Sequence, residues 1–372
     1  MQSFFNICSQ HATASAVIED CLQQLDRAPT EANFGFIYAT DAMASEYKTL
    51  LDECKARTGI EHWVGSLGIG VISTGREHYD TPAASIMLAK FDEPDFAMLP
   101  LISQPDEIKA NIKTPDKFAT SLAIVHGDPF NPETQNLIHE LQAQIHNCFM
   151  AGGLTSSHDK QYQVADNVYS GGVSGVLFSE NVGVLSNLSQ GCSPVGNRHK
   201  ITRTRENVIF SLDHKPALDV LMYDMGIKTA EELQTRAAEV LTGLCIPGSD
   251  KSDYTVRNLI GVDFEHKAFA INDILVEGNE LLFCHRDSQT AVADMKQMLD
   301  SMAKRLHKPP LGGIYISCIG RGREQFGSNS EEIKLIQQKL GDFPLTGFFA
   351  NGEIHHDKLY GYTGVLTVFT QE

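Results

Sequence analysis

Apolar positions along this chain fall into two alternating rhythms: short near-continuous runs that read as buried strands, and i, i+3, i+4 spacings that read as amphipathic helices. Residues 13–25 carry Ala16, Val17, Cys21, Leu22 and Leu25 at helical spacing. There follow an apolar strand at 34–40 (FGFIYAT), a helix over about 45–57, the glycine-bearing segment 63–73 (WVGSLGIGVIS), the charged turn Thr74-Gly75-Arg76-Glu77 and a strand at 84–91. The same order returns with a strand at 121–125, a helix at 133–145, the segment 149–157 (FMAGGLTSS) and strands at 173–179 and 182–185. It returns again with a strand at 313–318, a helix to about 340, a strand at 345–350 and a last strand at 361–369. VGSLGIG, AGGLTSS and TGFFANGE each put glycine where the backbone must turn or be closely approached. This predicts a repeated α/β unit; the alternative is the ordinary recurrence of strand and helix in any α/β protein.

Residues 200–288 break the rhythm. Strands are expected at 207–212, 259–263, 268–271 and 280–284, a short helix at 216–225 and an amphipathic helix at 229–242 capped by Thr229. A helix at 289–306 is stopped by Pro309-Pro310. The expected fold class is α/β (mixed α+β), with two packed domains built from strand-helix-strand-strand units. No low-complexity linker separates them, and the boundary is placed after Asp213-His214-Lys215-Pro216, giving domains at 25–220 and 221–365.

Composition narrows the class. With 42% apolar and 21% charged residues in 372, the chain suits globular domains rather than disorder. A net charge of −17 argues against non-specific nucleic-acid or anionic-membrane binding, both of which need a positive surface. No apolar run approaches the roughly 20 residues of a membrane span, and no Lys or Arg precedes Arg27 to form the n-region of a secretion signal. A cytoplasmic location is expected. The eight cysteines include no C-x-x-C, so free thiols are expected rather than a zinc ribbon or a redox pair.

Candidate chemistry gathers in the last sixty residues. The strand 313–318 ends in the turn 320–327, and Ser328 with Glu331 is a capping-box signal for the next helix. Gly322-x4-Gly327-Ser328 lacks the lysine of a phosphate loop, and Gln325 breaks the dinucleotide pattern begun by Gly320-x-Gly322. A smaller anion such as a carboxylate suits the turn better: Arg321 and Arg323 can present forked donors beside backbone N–H groups. The structural alternative is an arginine paired with Glu324 or Glu353. Cys318 beside Arg321 and a helix start has the setting that favours a thiolate, against the commoner role of a buried structural cysteine. Asn351 and Glu353 are expected to hydrogen-bond a polar ligand or a facing loop; Glu353, His355, His356 and Asp357 on one strand supply too few ligands for a metal. In 189–205 (SQGCSPVGNRHKITRTR), Arg203 and Arg205 share a face of an exposed strand, forming either a positive lip for an anionic ligand or a charged edge. No G-x-S-x-G elbow is present.

These motifs, in this order, resemble the FIST family (F-box and intracellular signal transduction proteins). SCIGRGREQFG, GFFANGEI and the closing YGYTGVLTVF look like its C-terminal domain; VGSLGIGVISTGRE, AGGLTSS and QGCSPVGNRHKITRTRENVIFSLDHKPALDVL look like its N-terminal domain. The resemblance covers about 25–365. It implies a non-catalytic sensory module for a small ligand, with amino acids proposed, signalling through a partner protein. One branch looks like haem-binding nitric oxide sensors acting on histidine kinases or cyclic-di-GMP enzymes, with His199, His214 and His355 among the available axial ligands; another recognises proteins. Motif matching carries the ligand role to Arg321, Arg323 and Asn351-Gly352-Glu353, while His355-His356 stands where the family has glycine and proline. No kinase, cyclase or F-box segment lies outside the match, so a partner chain is expected to carry the output.

Overall fold

The computed structural model describes residues 3–115, 118–145, 148–237, 239–246 and 254–371. They form two compact units: Met1–Gln190 with Asp294–Glu372, and Gly191–Ala293.

The first unit begins with β1 (Phe4–Gln10), α1 (Ala14–Leu25), β2 (Phe34–Thr40), α2 (Tyr47–Thr58), β3 (His62–Gly68), the hairpin β4 (Gly70–Ser73) and β5 (Arg76–Tyr79), and β6 (Ala83–Ala89). The series repeats as β7 (Phe96–Ile102), α3 (Ile108–Asn111), β8 (Thr120–Gly127), α4 (Thr134–Gln144), β9 (Phe149–Leu154), the hairpin β10 (Gln163–Ala165) and β11 (Asn167–Tyr169), and β12 (Val173–Ser179). A third series opens with β13 (Val184–Gln190). The chain then runs through the second unit: β14 (Cys192–Arg205), β15 (Val208–Leu212), β16 (Lys215–Pro216), α5 (Ala217–Asp224), α6 (Ala230–Arg236), β17 (Val240–Cys245), β18 (Tyr254–Asp263), β19 (Ala268–Ile271) and β20 (Glu280–Arg286). The third series resumes with α7 (Ser288–Arg305), β21 (Gly312–Cys318), the single turn α8 (Arg323–Phe326), α9 (Glu331–Leu340), β22 (Leu345–Ala350), the hairpin β23 (Glu353–His355) and β24 (Lys358–Tyr360), and β25 (Thr363–Phe369).

The first unit holds three six-stranded sheets, each centred on a parallel pair: β2 with β3, β8 with β9, β21 with β22. Crossover helices α2, α4 and α9 join the pairs. On one side of each pair lies an antiparallel strand of the same series (β6, β12 or β25), and beyond it β1, β7 or β13. The other side is completed by a hairpin from a different series. β4–β5 pairs with β22, β10–β11 with β3, and β23–β24 with β9. The recurrence read from sequence is thus a threefold repeat in which every member gives away its hairpin cyclically, so no repeat completes its own sheet.

Register confirms the equivalence. Gly65 faces Ile37, Gly152 faces Val125 and Gly347 faces Tyr315 across the three parallel pairs. A Cβ on these glycines would lie 1.6, 1.8 and 1.8 Å from the facing carbonyl oxygen, so any side chain there would push the strands apart. Packing follows the same symmetry. One cluster (Phe36, Ile124 and Ile316 among its members) draws on all three sheets, and a separate cluster lies under the helices of each sheet.

The second unit is an antiparallel barrel in the order β14-β20-β17-β18-β19-β15, closed by β14 pairing with β15 and filled by its own core around Ile201, Ile209, Phe269 and Phe283. Barrel closure explains a departure from expectation: the helix predicted to run to 242 ends at Arg236, and buried Val240 and Leu241 instead join β17, paired on both sides. The capping box also differs. Ser330, in the left-handed region at φ 56°, precedes α9 without capping it, and its Oγ accepts the Glu77 N–H at 3.0 Å. The division at 220 runs along the chain, whereas the compact units cross it, because the C-terminal series supplies a sheet of the first unit. Among the described residues no helix is long and apolar enough to cross a membrane.

Candidate functional site

The glycine-bearing strands β3, β9 and β22 end at one place. Leu67, Leu154 and Phe349 each lie two residues beyond the register glycines, and Ser156, 4% exposed, ties the three ends together. Its N–H donates to the Leu67 carbonyl at 3.4 Å, its Oγ accepts the Ile69 N–H at 3.0 Å, and the same hydroxyl donates to the Phe349 carbonyl. Asn351 N–H donates to the Leu154 carbonyl at 3.0 Å, and Leu154 N–H to the Gly352 carbonyl at 2.9 Å. Carboxyl ends of parallel strands from three repeats therefore meet, the place where open α/β sheets bind ligands. The Asn351 side chain is exposed here, and His158, just past Ser156, pairs with Asp41 at the end of β2.

Polar groups continue inward. Tyr38 Oη and His126 Nε2 are 3.1 Å apart, and Tyr38 stacks on Phe348, with ring centroids 5.3 Å apart. One residue comes from each repeat. Burial holds the His126 imidazole near a pKa of about 3, so it is neutral at physiological pH.

The Gly-Arg turn is built differently from the anion clamp expected. Arg321 is 1% exposed and points inward. Its Nε donates to Glu332 Oε1 at 2.8 Å, and its other nitrogens to the Ser189 and Tyr362 carbonyls at 3.4 Å and Ser189 Oγ at 3.3 Å. Glu332 also accepts Tyr315 Oη at 2.6 Å, Ser317 Oγ at 3.1 Å and Gly322 N–H at 2.9 Å. Burial alone would lower the Arg321 pKa; the Glu332 charge and bonds raise it on balance. Arg321 thus staples the turn to α9 and has no face left for a ligand. Arg323 turns outward onto Asp80 and the Tyr79 ring, 4.6 Å away, with Glu324 at 3.5 Å.

Of the two readings of Cys318, the structure gives the buried structural cysteine: burial, then Glu353, raises its pKa, outweighing the lowering by backbone hydrogen bonds and by Arg321. Glu353 is fully buried, its Oε2 accepting Thr363 N–H at 3.1 Å and Oγ1 at 2.8 Å. Burial pushes its carboxyl up to about 8. Of the residues singled out from sequence, Cys318, Arg321, Asn351 and Glu353 gather around the β21 and β22 ends, with Asn351 the solvent-facing one. Arg203 lies in the second unit, exposed on β14 with its guanidinium 4.9 Å from the Phe210 ring.

That unit contains a cavity of about 660 Å³ bordered by Arg198, His199, Asp213, Lys215, Tyr223 and Asp224. His199 is clamped at both nitrogens: Nδ1 lies 2.7 Å from Asp213 and Nε2 2.8 Å from Asp224. Burial alone would lower its pKa, but these carboxylates raise it on balance. Among the described residues no group of three or more His, Cys, Asp and Glu is arranged to hold a metal.

Sequence reasoning missed Glu332, Ser156 and the Tyr38–His126 pair. Glu332 carried a signal, since it falls on the buried stripe of α9 with Ile333, Ile336 and Leu340. A charged residue on such a stripe needs a buried partner.

Family models for the FIST N domain and the FIST C domain match residues 33–215 and 217–356. This chain belongs to the FIST family. FIST domains are sensory domains of signal transduction, not catalytic ones. An uncharacterized protein of Mycobacterium tuberculosis is 28% identical over 320 residues, 82% of this chain and 83% of its own. An uncharacterized protein of Mycobacterium bovis is 24% identical over 381 residues, 98% of each chain. Among solved structures, cyanuric acid hydrolases are similar across 100% of both chains, at 9% identity with a TM-score of 0.34 and, for the A. caulinodans enzyme, 10% with 0.30. In this FIST protein the N-domain match contains Tyr38, His126 and Ser156, and the C-domain match contains Arg321, Glu332 and Asn351. The converged strand ends draw on both.

Proposed function

We propose that this FIST protein senses a small polar ligand, an amino acid or similar carboxylate, at the converged ends of β3, β9 and β22, and signals through a partner protein. The observation that carries the reading is Ser156 joining the strand ends of three repeats, with Asn351 open to solvent beside it. A ligand bridging those ends would restrain all three sheets together, because each sheet borrows its outer hairpin from another repeat. Arg321 and Glu353 act as supports of the turn and strand that present Asn351.

Thermal-shift measurement with amino acids and small carboxylates tests this. A ligand at one hundred times its Kd stabilises by about 2.7 kcal/mol; wild type is expected to show that gain and Asn351→Ala to lose most of it. Equal stabilisation of both proteins would refute the site. The haem alternative is separated by absorbance: His199 would have to give up an aspartate to bind iron, whereas His355, kept neutral by burial, already has the protonation state of an iron ligand. A Soret band of bound haem on titration would favour that alternative over the polar-ligand reading.

A further inference from the structure

Away from the converged strand ends, β1, β4 and β5 bring together Cys8, Gln10, Ser73 and His78. The Gln10 amide has a fixed sense. Its Nε2 donates to the Tyr79 carbonyl at 3.3 Å and to Thr81 Oγ1 at 2.8 Å, and a carbonyl can only accept. Its Oε1 therefore faces His78 Nδ1, 2.9 Å away. An amide oxygen also only accepts, so Nδ1 carries the hydrogen and Nε2 is the basic nitrogen. That nitrogen lies 3.1 Å from Cys8 Sγ and 3.0 Å from Ser73 Oγ. A thiol, a base within reach of its proton and a third group holding the base in one tautomer are the parts of a nucleophile relay. His78 is buried, whereas Cys8 is partly exposed and the other seven cysteines are buried.

Burial, then the Arg76 charge, lowers the His78 pKa, and burial pushes the Cys8 thiol up to about 11. The pair therefore rests as neutral thiol and neutral imidazole, and proton transfer has to accompany attack, as it does for a serine beside a histidine.

We propose that Cys8 is a reactive thiol with His78 as its general base and Gln10 as the positioning residue, and that a small hydroperoxide oxidises it to a sulfenic acid. In the step, sulfur attacks one peroxide oxygen, and the S–O bond forms as the O–O bond breaks. The thiol proton passes through His78 Nε2 to the departing hydroxide, which leaves as water when the oxidant is hydrogen peroxide. Sulfur gives up two electrons and the peroxide takes them. The partial enclosure of Cys8 favours a small oxidant, and the Ser73 hydroxyl is placed to hydrogen-bond the sulfur.

The folded full-length protein is treated with hydrogen peroxide, trapped with dimedone, and its labelled cysteines are followed in time by mass spectrometry. Cys8 is expected to label at least roughly tenfold faster than Cys21, Cys54 or Cys148, and His78→Gln to slow it by roughly a hundredfold, the low end of general-base contributions. Gln10 is exposed, so Gln10→Leu keeps the fold while freeing the tautomer and is expected to slow Cys8 by roughly tenfold. Gln10→Glu keeps the acceptor and is expected to hold the rate at or above wild type. Cys8 labelling no faster than the buried thiols, a Gln10→Leu rate equal to wild type, or a Gln10→Glu rate as slow as Gln10→Leu would each overturn the proposal.

Discussion

Arg321 and Arg323 stand two residues apart in one turn, yet replacing them should have very different costs. Arg321→Met removes the cation from a pair whose side chains are both 0% exposed. Glu332 would keep its bonds from Tyr315, Ser317 and Gly322 but hold an unpaired buried charge, and the Ser189 and Tyr362 carbonyls would lose a donor. Breaking a buried ion pair from one side costs about 3–5 kcal/mol. Arg321→Lys supplies charge without the fork that reaches Glu332 and Ser189 together, so it should recover less than half of the loss. Arg323→Met breaks a pair whose partners are 40% and 66% exposed, and is expected to cost less than about 1 kcal/mol. Urea unfolding of the three variants and wild type, with m-values compared to check that the same surface is exposed, reads these differences directly. Equal costs for Arg321→Met and Arg323→Met would refute the structural role of Arg321 and reopen its role as a ligand clamp.

Gly152→Ala places a methyl carbon 1.8 Å from the Val125 carbonyl oxygen; a loss of about 3 kcal/mol or more is expected, at the severe end for one substitution, and denaturant unfolding measures it. Gly65→Ala and Gly347→Ala should behave alike if the three positions are equivalent, and a mild loss at any of them would break that equivalence. Glu353→Gln should gain stability over wild type as pH rises. Burial pushes this carboxyl up to about 8 in the folded protein. The unfolded group loses its proton near pH ~4.3, so wild type loses stability as pH rises between those values, at about 1.4 kcal/mol per unit. Glutamine carries no such penalty, so a relative gain of roughly 1–4 kcal/mol between pH ~5 and ~8 is expected from unfolding curves. A difference that does not change with pH would refute a neutral buried Glu353.

The repeats were legible because glycine and strand period are local properties. VGSLGIG, AGGLTSS and TGFFANGE each carry glycine at their second position, and those glycines, Gly65, Gly152 and Gly347, occupy one register position. The exchange of hairpins was not legible: β23 has the same local pattern whether it pairs with its own sheet or with β9. The helix read through Val240 failed for a related reason, since its apolar residues satisfy helical spacing and only the facing strands of the barrel decide for β17.

Two arginines in a glycine-rich turn determined that charge would matter between Cys318 and Gly327, and the strand–helix–strand rhythm determined that this turn would sit at a strand end. Which arginine faces water was decided by the fold. Glu332, eleven residues on, lies under the turn only when α9 packs on β21, and low-dielectric burial then requires the cation to pair with it. The distant partners followed the same rule. Tyr38 and His126 are 88 residues apart, and Ser156 and Phe349 are 193 apart. Periodicity specifies which faces of a strand are buried; the atoms that meet across those faces are set by topology, and the candidate site is made of such meetings.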